Sequence, residues 1–158
     1  MTDYTIARKL PSMDSYTVAD ASGTELYTAK HHLGLGKEHW DIADHSGAVV
    51  ATLLHERAHL HATYKISGDD LADATFTKTN YLTMAETWTL DTEAGQVRLE
   101  GDLVDHRWTL TSADGSVTAT LVRRMVSLHH QFLVTVDGDP RVTIALAIAL
   151  DVEQDEHK

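Results

Sequence analysis

The chain has 158 residues, enough for one domain with a substantial core, and carries 24 acidic against 13 basic residues for a net charge of −11. That balance excludes nucleic-acid or anionic-membrane binding driven by overall charge, leaving only a local basic patch open. The absence of cysteine excludes disulfides, thiol nucleophiles, thiolate metal sites and palmitoyl anchors.

The N-terminal segment Met-Thr-Asp-Tyr-Thr-Ile-Ala-Arg-Lys9 has no apolar h-region. A cleaved secretion signal is therefore not expected, and a cytoplasmic address, at most peripheral to a membrane, is. An opening strand is predicted around Tyr4 to Arg8. From there one pattern recurs: an aromatic residue, an aliphatic one two positions on, then a polar turn usually closed by glycine. The aromatics fall at Tyr16, Trp40, Tyr64, Trp88, Trp108 and Phe132, spaced 24, 24, 24, 20 and 24 residues apart. Their partners are Val18, Ile42, Ile66, Leu90, Leu110 and Val134. The turns that follow are Asp20-Ala-Ser-Gly23, Asp44-His-Ser-Gly47, Ser67-Gly68, Thr92-Glu-Ala-Gly95, Ala113-Asp-Gly115 and Asp137-Gly138. Period-2 spacing ended by Asp or Ser and Gly marks a strand entering a hairpin. After most turns a second strand is predicted: Glu25 to Ala29, Ala48 to Leu54, Leu71 to Phe76, Val97 to Leu99 and Val117 to Val122. Side chains two apart share a face, so each aromatic-aliphatic pair is expected to point inward.

The sixth repeat runs instead into Arg141-Val-Thr-Ile-Ala-Leu-Ala-Ile-Ala-Leu-Asp151, which contains the longest apolar run. Large residues at even positions and small ones at odd positions suit a strand as well as a helix that is apolar all round. Asp139-Pro140 supplies a helix N-cap and a first-turn proline. The run is far shorter than the roughly 20 residues that span a bilayer, so the chain is not expected to be transmembrane. A sheet this long must close. Eight strands fill their own interior and sixteen leave a channel, whereas about twelve enclose a space near the ~10 Å diameter of a helix. The expected fold is mainly β, a closed antiparallel barrel of about twelve strands enclosing a hydrophobic C-terminal α-helix. It forms a single domain over 1–158, with the helix at about 140–151 and an acidic tail at 152–158 returning to water.

The Asp-x-x-Gly turns after Tyr/Trp-x-aliphatic strands, the Ala-His-Leu-His-Ala-Thr-Tyr-Lys-Ile-Ser-Gly segment at 58–68, Leu-Glu-Gly-Asp-Leu at 99–103 and the closing Phe-Leu-Val-Thr-Val-Asp-Gly-Asp with its apolar run resemble LURP-one-related proteins. The resemblance covers nearly the whole chain. It implies kinship with tubby C-terminal domains and phospholipid scramblases, and a twelve-stranded barrel threaded by a hydrophobic C-terminal helix. Activity is implied less firmly: tubby domains bind phosphoinositide headgroups through basic residues, and scramblases are associated with lipid movement. Here the basic candidates for a headgroup are Arg8 with Lys9 and Arg123 with Arg124. The alternative for Arg123-Arg124 is a strand end or edge guarded by charge. The acid-rich, lysine-poor composition also resembles that of proteins from salt-loving prokaryotes, an ordinary acidic surface being the alternative.

His55-Glu56-Arg57-Ala58-His59 fits the H-E-x-x-H pattern of zinc hydrolases, but that chemistry requires a helix where the repeat places strands. His55, His59 and His61, at even spacing, would share one face of an extended segment and could form a metal site with an open position, surface groups or hydrogen-bonded fillers being the favoured alternative. His31-His32, His39 and His129-His130 sit in predicted loops and are given no role. Carboxylate pairs such as Asp69-Asp70 and Asp102 with Asp105 read as turns, and Gly34-Leu-Gly36 lacks the third glycine of a phosphate loop. No cofactor, metal or catalytic residue is expected. The expected function is a non-enzymatic module binding a phospholipid headgroup, a small ligand or a protein partner. A metal-dependent hydrolase at His55, Glu56 and His59, or a purely structural interaction module, is the alternative.

Overall fold

The computed structural model describes residues 1–8, 15–34, 37–56, 61–79, 85–126 and 129–156. Twelve strands precede one helix: β1 (Thr2–Arg8), β2 (Ser15–Asp20), β3 (Glu25–Leu33), β4 (Glu38–Asp44), β5 (Val49–Glu56) and β6 (Thr63–Gly68). Then follow β7 (Leu71–Lys78), β8 (Ala85–Thr92), β9 (Gly95–Asp102), β10 (Arg107–Thr111), β11 (Val117–Val126), β12 (His129–Val136) and α1 (Arg141–Glu156). Each strand pairs antiparallel with its sequence neighbours, and β1 pairs with β12, closing the barrel. The strand wall therefore has no edge, and Arg123-Arg124 on β11 guards none.

The repeat makes the wall as predicted. All six aromatics are buried, as are the six aliphatic residues two positions on. The turns obey simple local chemistry. Asp20 Oδ1 accepts hydrogen bonds from the Ser22 amide (2.9 Å), its hydroxyl (2.6 Å) and the Thr24 amide (3.0 Å), and Asp44 repeats this on Ser46 and Ala48. Gly23 and Gly47 then take left-handed φ of 88° and 89°, the conformation glycine adopts without a Cβ clash. The hydroxyls of Ser112 and Ser116 on Asp114 lower its carboxyl to about 2.

The predicted turn at Ser67-Gly68 differs. Gly68 belongs to β6, and the positive φ of 53° falls on Asp70. Gly68 is required for closeness instead, because a Cβ there would lie 2.4 Å from the Val50 carbonyl oxygen. Gly101 does similar work: a Cβ would lie 2.2 Å from the indole of Trp108, its partner across β9 and β10.

Helix α1 is the core. Residues 144–150 are 0 % exposed, so all faces of the helix are covered by inward side chains of the wall. Each fully buried Leu or Ile contributes about 1.5–3 kcal/mol of transfer free energy. Asp139 caps its start, accepting from the Arg141 amide at 3.0 Å. Two sequence expectations need correction. The helix does not stop near 151 but runs to Glu156, and Asp151 and Glu153 are 1 % and 3 % exposed. Strands β3, β5, β7 and β11 end at Leu33, Glu56, Lys78 and Val126, beyond the predicted Ala29, Leu54, Phe76 and Val122. His31, His32, His39, His129 and His130 thus lie in strands and not in loops. The cause is the same in both cases: polar groups at one end of the barrel find partners there, so regular structure continues past the apolar residues.

Candidate functional site

Odd-numbered strands finish, and even-numbered strands begin, at the end of the barrel where α1 finishes. Here the inward register adds one polar position beyond the apolar ones. Arg8 follows Ile6, His31 follows Ala29, His55 follows Leu53, Lys78 follows Phe76 and Arg123 follows Leu121, each two residues on. Glu38, Glu86 and His130 precede Trp40, Trp88 and Phe132 by the same step. The result is a buried polar layer around the last turns of the helix.

Carboxylates near a helix C-terminus oppose the macrodipole, and buried ones are costly unless paired. Both conditions are met by specific partners. Asp151 accepts from Arg8 Nε at 2.6 Å, Tyr16 OH at 2.8 Å and Arg123 Nη2 at 3.1 Å. Burial first, and then the Asp151 charge, push the Tyr16 phenol well above its ordinary range. Arg123 Nη2 also lies 2.6 Å from His130 Nδ1. A guanidinium only donates, so this nitrogen of His130 accepts.

Beside it, Glu38 bridges two histidines. His55 Nδ1 and His31 Nε2 lie 2.7 Å from its two oxygens. His31 stacks on Trp40 and His55 on Tyr64, with centroids 4.8 and 4.2 Å apart. Tyr64 OH donates to Glu153 at 2.7 Å. Glu86 accepts from Trp88 Nε1 at 2.7 Å, more loosely from Trp108 Nε1 at 3.4 Å, and from Gln154 at 3.3 Å, with Lys78 Nζ at 3.7 Å. Among the described residues the carboxylates of this layer are paired with its rings and cations, in clusters around Asp151, Glu38 and Glu86. The layer orients groups for holding the helix, and its carboxylates are taken up by their neighbours.

Of the headgroup candidates, Arg8 and Arg123 are brought together on Asp151 and largely buried. Arg124 is exposed, one position on from inward-facing Arg123 and so on the opposite face, while Lys9 lies outside the described residues. The H-E-x-x-H segment has no helix at its start: His55 and Glu56 close β5 and face opposite ways, Glu56 outward to Lys65 Nζ at 3.1 Å. His59 lies outside the described residues, and His61 is exposed.

The outer wall carries a groove of about 620 Å³ over β3 and β4, lined by Thr28, Lys30, His32, Asp41, Ala43 and Val49 among others. No helix among the described residues is long and apolar enough to cross a membrane.

These features define a class: an antiparallel barrel plugged by its own C-terminal helix, with its accessible concavity outside. The chain belongs to the LURP-one-related family, whose family model matches residues 2–152, from the first strand to the polar end of α1. A search of curated proteins finds no match. The family expected from the sequence is thus the family found, while nothing in these comparisons carries the salt-loving origin that the composition suggested.

Proposed function

We propose that this LURP-one-related barrel is a non-enzymatic binding module that engages a small ligand or protein partner through its outer wall and rim. One observation carries the reading: the lumen, where barrels of this size would hold a ligand, is filled by residues 144–150 at 0 % exposure. The groove over β3 and β4 is a concavity that stays open, and a second of about 460 Å³ lies over β5, β6 and β7. Amide-shift mapping against a fragment library tests it. Binders should move amides of Thr28, Lys30, Ala43 and Val49; shifts centred on Leu146 and Ile148 would mean that the interior opens and would overturn the reading.

The headgroup variant rests on the convergence of Arg8 and Arg123 at one mouth, with Lys9 and Arg124 beside them in sequence. Their charge is opposed by Asp151, which lies at hydrogen-bond distance and has no translational entropy to lose. A phosphate must therefore be held chiefly by what Arg124 and Lys9 add. Flotation with phosphoinositide vesicles at matched salt decides: no co-flotation is expected, and flotation abolished by Arg124→Ala would establish the headgroup instead. The hydrolase alternative at His55, Glu56 and His59 is disfavoured by the strand that ends at Glu56.

A further inference from the structure

Two histidine-carboxylate clusters lie on opposite sides of the same wall, and their distances differ in kind. Inside, Glu38 meets His31 and His55 at 2.7 Å each, ordinary hydrogen bonds. Outside, His32 and His39 face each other across β3 and β4 with stacked rings, centroids 4.9 Å apart. Both aim Nε2 at one oxygen, Asp41 Oδ2, at 3.3 and 3.8 Å. These separations are long for hydrogen bonds. They bracket the edge of a tetrahedron with metal bonds of about 2.0–2.1 Å, roughly 3.4 Å.

The other Asp41 oxygen is already engaged. Thr52 Oγ1 donates to Oδ1 at 3.1 Å, turning Oδ2 toward the two imidazoles, as an outer partner orients a metal-binding carboxylate. The three ligand atoms lie within 4.8 Å of one another. His32 and Asp41 also line the groove over β3 and β4. Lys30, opposite Asp41, is exposed, where its charge is screened.

We propose that His32, His39 and Asp41 hold a borderline divalent transition-metal ion, of which zinc is the probe, with a coordination position left open toward the groove. Two imidazole nitrogens and one carboxylate oxygen suit such ions over calcium or magnesium, which favour all-oxygen sets. The site is independent of the H-E-x-x-H segment and does not require the groove to bind an organic ligand.

Calorimetric titration of untagged protein with zinc at neutral pH tests it. One equivalent should bind in a tight phase that His32→Ala and Asp41→Asn each remove. Thr52→Val should weaken it about tenfold. His45→Ala, an exposed histidine of the same groove, should leave it unchanged. All four side chains are on the outside, and the melting temperature of each metal-free variant checks that it folds. Copper(II) at one equivalent should broaden amides around His32, His39, Asp41 and Thr52 of the unaltered protein. Absence of a tight phase, uptake unchanged in both His32→Ala and Asp41→Asn, or broadening centred elsewhere would each overturn the proposal.

Discussion

The two ends of α1 are fastened by opposite means. At its start Arg141 pairs with Asp139 through Nη2 and Oδ2 at 2.7 Å and reaches two main-chain acceptors, Val50 O at 2.9 Å and Asp69 O at 2.6 Å. Asp139 is half open to water, and the arginine beside it holds its carboxyl below the usual range. At its finish Asp151, Glu153 and Gln154 are tied to side chains from strands distant in sequence. Main-chain acceptors are supplied by any sequence that forms the turn, whereas the other end needs particular residues at every corner. Tolerance to substitution should differ accordingly.

The largest effect is expected from Asp151→Ala. It leaves the Arg8 and Arg123 guanidiniums in a buried layer without their shared counter-charge, which destabilises by about 3–5 kcal/mol. Urea unfolding measures it, and a loss below the effect of Arg141→Ala would reverse the comparison. Gly68→Ala comes next, at about 1–3 kcal/mol, because the new methyl meets a backbone oxygen that cannot rotate away. Arg141→Ala should lower stability by about 1–2 kcal/mol. Combined with Asp151→Ala, the two effects should add to within about 0.5 kcal/mol, since the helix keeps the sites well separated. Strong coupling in that double variant would show that the two fastenings are one.

The smallest effect lies outside both ends, in the turn at Asp114. Its carboxyl titrates near 3.8 unfolded and about 2 folded, so its contribution is present above pH 3.8 and lost as pH falls through about 2. Asp114→Ala should lower the melting temperature slightly at neutral pH, with the gap to the parent closing between about pH 4 and pH 2. A gap that widens on acidification would contradict this.

The wall was legible because its signals are local. Tyr16 with Val18, or Trp40 with Ile42, sit two residues apart, and the Asp-x-Ser-Gly turns carry their own hydrogen bonds. The polar layer was not legible because each member resembles a surface residue until its partner is known. Arg8 is 143 positions from Asp151, and Tyr64 is 89 from Glu153. For the same reason the sequence suggests too short a helix: loss of apolarity at Asp151 reads as a return to water when it marks a change of neighbours. One local signal was there to extend, namely the period-2 register carried one step past Ile6, Leu53, Phe76 and Leu121. Of the headgroup residues, the sequence supplied the candidates, and only the fold placed Arg8 and Arg123 on a common carboxylate.

The seam between β1 and β12, where Thr2 faces Val136, sets an order of assembly. On the ribosome the first strand must wait for the last, and α1 emerges later still. A wall zipped shut beforehand would admit α1 only lengthwise through a mouth. The nascent sheet is therefore expected to stay unzipped, both margins bare, until the rod lies in its trough, which makes the interval before α1 is complete its most aggregation-prone moment.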